Sequence, residues 1–85
     1  MDQDLQAEIN RLRWQCRRGM LELDLAFGGF VDKEYAGLDR AGRDLFQKLL
    51  KEKDQDILEW LYEQAEPTDP AYIAMLKTIR SVSSD

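Results

Sequence analysis

Apolar residues recur at helical spacing along the chain and divide it into five segments. In the first segment they follow one another at steps of four, three and four residues, at Leu5, Ile9, Leu12 and Cys16. This spacing places them on one face and predicts helix 1 over residues 4–16. Trp14 lies about 180° from Leu5 on a wheel of about 100° per residue, so it either packs on a second neighbour or is partly exposed.

The second segment is apolar on more than one side. A broad face is formed by Met20, Leu23, Phe27, Phe30 and Val31. Leu21 and Leu25 extend the apolar character around another side. Helix 2, over residues 19–31, is therefore expected to be the central helix.

Helices 3 and 4 are separated from helix 2 by residues typical of loops and caps. Gly37 marks a loop, and Asp39 is a suitable N-cap for helix 3 over residues 40–52. Asp54 or Asp56 opens a short helix 4, and the carboxylates of both suit a cap or a solvated first turn.

Proline ends one helix and begins the next. Pro67 ends helix 4, while Asp69 as N-cap and Pro70 at the first helical position begin helix 5. Residues 80–85 are expected to form a frayed tail. No segment alternates with period two, so residues 1–85 are predicted to form one all-α domain, a small bundle of about five short helices.

Composition excludes several classes of function. The chain has 85 residues, a net charge of −5, one cysteine and no histidine. No apolar run approaches the roughly 20 residues that span a bilayer, and the acidic, polar start does not fit a secretory signal. Acidity disfavours nucleic-acid binding. The lone cysteine fits a reducing cytoplasm, and the absent histidine removes Ser-His and Cys-His catalysis.

Two possible chemical sites have simpler structural explanations. A calcium loop starting at Asp54 would need glycine and glutamate where Glu59 and Ala65 stand, so no metal site is predicted. Cys16 precedes two arginines that could lower its pKa. Because it belongs to the apolar stripe of helix 1, we interpret it as a buried structural thiol.

The segment RRGMLELD places a glycine inside a charged pair. Arg18 and Glu22 are four residues apart, and on a solvated helix such a pair contributes only about 0.2–0.5 kcal/mol. Gly19 costs up to ~1 kcal/mol relative to alanine in a helix interior, so its presence needs a reason. A helical wheel places these three on one stripe with Ala26 and Gly29. Small residues admit a close neighbour, so the stripe is either ordinary packing or a docking surface, and the wheel leaves both open.

The run RRGMLELDLAFGGFV resembles the R-G-x-x-E motif of the succinate dehydrogenase flavinylation factors, also called flavoprotein assembly factors. Arg18, Gly19 and Glu22 stand at its three fixed positions. Its usual continuation is matched by Leu23, Asp24 and Phe30. The resemblance extends over nearly the whole chain, through RLRWQCR before the motif, DQDILEWL after it and a proline-containing entry to the last helix.

The resemblance implies a small five-helix protein that is not itself an enzyme. It implies binding to the flavoprotein subunit of succinate dehydrogenase, or of fumarate reductase in bacteria, and promotion of covalent FAD attachment to a histidine of that subunit. FAD would then act on the partner and not be held stably by this chain. Arg18, Gly19 and Glu22 would form the docking surface, flanked by Arg11, Trp14 and Asp24. A monomer or weak dimer without membrane insertion is expected.

Two alternatives compete with this interpretation. The same family has been described as the antitoxin half of a toxin–antitoxin pair, which would make the chain an interaction protein of another class. A small catalyst that binds and transfers FAD is disfavoured, because the sequence offers neither a glycine-rich phosphate loop nor a strand to carry one.

Overall fold

The computed structural model, which describes residues 2–83, confirms the all-α class. Within these residues the elements are α1 (Asp2–Gln15), α2 (Leu21–Lys33), a 3₁₀ turn (Tyr35–Gly37), α3 (Arg40–Leu49), α4 (Asp54–Leu61) and α5 (Pro70–Ser83). No helix in this part of the chain has both the length and the apolar character needed to cross a membrane.

Helix α2 lies at the centre of the bundle, as its broad apolar face predicts. It packs against α5, α1 and α4, and Leu23, Phe27 and Phe30 are fully buried. Phe46 of α3 completes this core, with its ring centroid 5.8 Å from that of Phe27 and 4.9 Å from that of Phe30. Three phenylalanine rings therefore meet in the core of this small domain, and α2 supplies two of them.

Tyr35 connects three parts of the bundle, although the sequence around it reads as a loop. Its side chain is fully buried. The hydroxyl donates a hydrogen bond to Glu8 of α1 and accepts one from Nε2 of Gln47 in α3 at 2.8 Å. Both partners satisfy a polar group that would otherwise be costly to bury.

Most of the residues predicted to mark helix boundaries do so, but the prediction that Pro67 ends helix 4 is wrong, because α4 ends at Leu61. The Asp39 carboxylate accepts a hydrogen bond from the backbone N–H of Gly42 at 2.8 Å, and Asp69 accepts one from that of Ala71 at 2.9 Å. Both are helix-start contacts that the sequence predicts. The N-cap of α4 is Lys53, which makes no side-chain cap bond, so Asp54 opens the helix without capping it.

The predicted frayed tail is wrong for residues 80–83. Helix α5 continues to Ser83, and Val82 is 8% exposed. Val82 packs near Gly29 of α2, where its Cγ1 would lie 4.0 Å from a Cβ added to the glycine. An apolar contact of this kind holds the last turn in place, and residues 84 and 85 lie outside the described residues.

Helix α4 ends in a left-handed residue that is not glycine. Glu63 has φ of 59°, its N–H donates to the carbonyl of Trp60, and the N–H of Gln64 donates to the carbonyl of Glu59 at 2.9 Å. This is the Schellman pattern, in which glycine normally takes the left-handed position. A glutamate there retains strain from its Cβ.

We expect Glu63→Gly to raise the free energy of unfolding by roughly 1 kcal/mol, because glycine removes that strain. The ion pair that Glu63 makes with Arg80 at 3.8 Å joins an exposed carboxylate and contributes little. Urea denaturation measures the change. Gln64→Gly, one position beyond the left-handed residue, is the control and should be destabilising. A loss of stability in Glu63→Gly would show that the ion pair outweighs the strain.

Alkaline pH should destabilise the fold through three buried groups, because burial raises the pKa values of Cys16, Tyr35 and Tyr72. Burial raises the pKa of the Cys16 thiol from 9.0 to about 11, and burial with a hydrogen bond to Glu52 raises the pKa of Tyr72 from 10.0 to about 12. Well below pH 9 these groups are protonated whether the chain is folded or not. Above it the unfolded chain ionises first, so the free energy of unfolding should fall as pH rises toward 12.

Chemical denaturation across this pH window measures the effect. Cys16→Ala should remove the earliest part of the decline, between about pH 9 and 10, because the tyrosines of the unfolded chain ionise only around their ordinary pKa of 10.0. A wild-type profile that stays flat through the window would contradict the assignment.

Candidate docking site

The turn between α1 and α2 holds the motif identified in the sequence. Gly19 has a φ of 81°, a backbone conformation that residues with a Cβ rarely adopt. A Cβ added to it would nevertheless meet no atom within 4 Å. The turn therefore requires glycine for its backbone and not for space. Helix α2 begins at Leu21 with Met20 as an extended N-cap. The prediction that helix 2 starts at Gly19 is wrong, because the positive φ ends helical geometry there.

Arg18 anchors this turn to the junction of α3 and α4. Its guanidinium donates to the carboxylate of Asp54 and to the backbone carbonyl of Leu50, 36 and 32 residues away along the chain. It also lies 5.6 Å from the ring centre of Phe27. The side chain is only 13% exposed. A charged fork held by two acceptors over a ring is a rigid arrangement.

The Asp24 carboxylate closes the turn from the other side. It accepts a hydrogen bond from the backbone N–H of Arg18 at 2.7 Å. Because Asp24 lies in the first turn of α2, this bond fixes the angle at which the chain enters the helix. Asp24 is therefore part of the support of the turn, and its predicted role as a flanking contact stays a prediction.

The interpretation of Arg18 and Glu22 as an i,i+4 pair is wrong. Arg18 precedes the helix, so the wheel that placed both on one stripe does not apply to it, and its guanidinium pairs with Asp54 instead. Two small residues of that stripe, Ala26 and Gly29, serve packing. Ala26 is 5% exposed and Gly29 lies near α5.

Glu22 is the exposed member of the motif. It lies in the first turn of α2, where the positive end of the helix dipole favours a carboxylate. Its side chain is exposed, and it forms no hydrogen bond or ion pair with any group in residues 2–83. The arrangement thus presents an unpaired negative charge on a turn that Arg18 and Asp24 hold rigid.

Trp14 and Arg11 lie on the exposed side of α1. Trp14 is 71% exposed, so the second of the two placements left open by the wheel is confirmed. The guanidinium of Arg17 lies 4.9 Å from the centre of its ring. Arg17 and Gly19 line one shallow depression beside α2, and Arg17 lines the next one with Trp14. Trp14 is therefore continuous with the motif surface, while Arg11 has no contact that joins it to Gly19 or Glu22 among the described residues.

Cys16 is a buried thiol beside the turn, as its place on the apolar stripe predicts. It is 2% exposed. Burial raises its pKa to about 11 and outweighs the lowering effect of Arg18. A thiol with so high a pKa is a poor nucleophile at neutral pH.

The residues that sequence reasoning missed are the acceptors of Arg18. The position of Asp54 also suits a capping or solvated carboxylate, and a backbone carbonyl such as that of Leu50 leaves no trace in the sequence. Neither partner lies at a helical spacing from Arg18, so no periodic pattern could identify them. Within residues 2–83, no group of three or more histidine, cysteine or acidic side chains is arranged to hold a metal ion.

Comparison with known proteins identifies close relatives of the chain. Residues 10–83 match the sequence model of the family described as flavinator of succinate dehydrogenase. The chain is 42% identical over 74 residues to the FAD assembly factor SdhE of Pseudomonas putida, an alignment that covers 87% of this chain and 88% of the relative. It is 36% identical over 76 residues to the protein of that name from Pectobacterium atrosepticum, covering 89% and 86%.

We expect Arg18→Met to lower the free energy of unfolding by about 2 kcal/mol, because it leaves Asp54 and the Leu50 carbonyl without their donor. Arg18→Lys should recover only part of this loss, since one ammonium cannot reproduce the guanidinium fork. Urea denaturation measures both. Arg11→Met, which removes an exposed arginine of α1, is the matched control and should change stability by less than about 0.5 kcal/mol. A fully stable Arg18→Met protein would show that Arg18 is not an anchor.

Proposed function

Because this chain belongs to the family of flavinators of succinate dehydrogenase, we propose that it is an FAD assembly factor for that enzyme. It binds the flavoprotein subunit and promotes covalent attachment of FAD to it. The observation that carries the docking role is the exposed, unpaired Glu22 carboxylate on a rigid turn. The names of the relatives support assembly of FAD and give no support to the antitoxin alternative.

The three fixed residues of the motif have different proposed roles. Arg18 and Gly19 act within the chain: one anchors the turn to Asp54, and the other provides its left-handed backbone. Glu22 acts outward, toward the flavoprotein subunit. Because the backbone that carries Glu22 is already fixed, less conformational freedom is lost on binding and more of the contact energy is retained as affinity.

The proposed role is positioning and not catalysis. The chain has no histidine, so a covalent bond between FAD and histidine must form on the flavoprotein subunit. Binding holds that subunit in the conformation in which it catalyses its own covalent bond to FAD. We further propose that this chain holds no FAD stably, that it acts as a monomer or weak dimer, and that the flavoprotein of fumarate reductase is a second client.

Arg17 and Trp14 extend the proposed interface beyond Glu22. An arginine stacked on an exposed indole presents a cation and a large flat surface together. Tryptophan and arginine are the side chains that most often dominate protein interfaces. Arg11 lies further along the same helix and would contact the rim.

We expect Glu22→Ala to reduce covalent flavin on the co-expressed flavoprotein subunit strongly while the variant stays folded. Stability should change by less than about 1 kcal/mol, because only the helix-dipole interaction of an exposed carboxylate is lost. Binding should weaken by about 2 kcal/mol or more, since a cation of the partner is left buried and unpaired. In-gel flavin fluorescence and calorimetry measure the two effects.

Asp56→Ala is the matched control, because Asp56 is also an exposed carboxylate in the first turn of a helix. It should match Glu22→Ala in stability and leave flavinylation at the wild-type level. Normal flavinylation by a folded Glu22→Ala protein would remove Glu22 from the interface.

A further inference from the structure

Helix α2 leaves two leucines in solvent. Leu21 is 67% exposed and Leu25 is 64% exposed, and they lie one turn apart on the same side of the helix. Tyr62, at the end of α4, is 55% exposed across a groove from Leu25. We call Leu21, Leu25 and Tyr62 the leucine face. It holds three of the five large apolar side chains that are exposed within residues 2–83.

The groove of the leucine face suits protein side chains better than a cofactor. It has a volume of about 250 Å³, and Leu58 and Leu61 form its apolar floor. Small-molecule sites typically measure about 300–1,000 Å³ and enclose most of their ligand. Apolar side chains gathered on one open face are typical of protein–protein contact.

The charged side chains around the groove indicate which kind of partner it would bind. Glu63 lies 3.8 Å from Arg80, which also lines the groove. Glu22 lines it too, and no ion pair joins its carboxylate to a cation in the described part of the chain. In a symmetric dimer through this face each copy would meet the same patch, including Glu22, on a chain whose net charge is −5. A partner with apolar side chains and a cation fits better than a second copy.

We propose that the leucine face binds an amphipathic segment of the client flavoprotein subunit, whose apolar side chains enter the groove while a lysine or arginine of that segment pairs with Glu22. The inference rests on the proposed function and adds the apolar part of the interface to the motif turn. Apolar contacts supply affinity, and the single charge fixes the register of the segment.

The test is the affinity of Leu21→Ala and Leu25→Ala for the purified flavoprotein subunit, measured by titration at low and high salt. Each substitution should weaken binding about tenfold, because a leucine buried in the complex is lost. That loss should persist at high salt, whereas the effect of Glu22→Ala should shrink, since salt screens charge and not apolar contact. Both leucines are exposed, so the melting temperature should stay near that of the wild type.

Ile73→Ala is the control, because Ile73 is 39% exposed on α5 and does not line the groove. It should bind within twofold of the wild type. If the leucine variants bind the subunit normally while Glu22→Ala binds weakly, the leucine face is not part of the interface, and the proposed assembly role is unaffected. Failure of the wild-type protein to bind the subunit would overturn both. A wild-type dimer in sedimentation that Leu25→Ala dissociates would assign the face to a second copy.

Discussion

The contact of Arg18 with Asp54 and the carbonyl of Leu50 determines how the proposed docking surface is presented. It joins the turn before α2 to the junction of α3 and α4, two parts of the chain that no local pattern relates. The turn itself has a glycine at positive φ, and α2 has no side-chain N-cap. Such a turn would sample many conformations without an anchor, because glycine restricts the backbone least. Arg18 and Asp24 remove that freedom, and the first turn of α2 then points Glu22 outward.

The demands on α2 explain why this helix departs from simple amphipathicity. It supplies Leu23, Phe27 and Phe30 to a thin core, and a domain of this size has little apolar surface to spare. Nevertheless Leu21 and Leu25 remain in solvent. The apolar residues on the second side of the helix are thus not needed for the fold. A central helix whose core face is complete can present its opposite face to a partner.

The sequence predicted the local features of this fold and missed the long-range ones. Periodicity found all five helices, and side-chain chemistry found the caps at Asp39 and Asp69, because both depend on neighbours within a few residues. Periodicity failed at Gly19, because a glycine within a helical pattern can equally adopt the left-handed backbone of a turn. It also failed at Tyr35, whose hydrogen-bond partners lie 27 and 12 residues away. For the site, the family motif located the turn and Glu22, while the wheel assigned Arg18 the wrong partner.

Arg18 is largely buried and Glu22 is exposed, so variants at these two positions of the motif should be interpreted differently. Loss of function after a change at Arg18 does not distinguish a lost contact with the client from a collapsed turn, since its side chain is largely buried and holds two distant groups. Glu22 and Leu25 are exposed and can be altered with little effect on the core. A small domain has only a few kcal/mol of stability to lose. Variants of Glu22 and the leucine face should therefore be used to test docking. Variants of Arg18 test whether docking requires an intact turn.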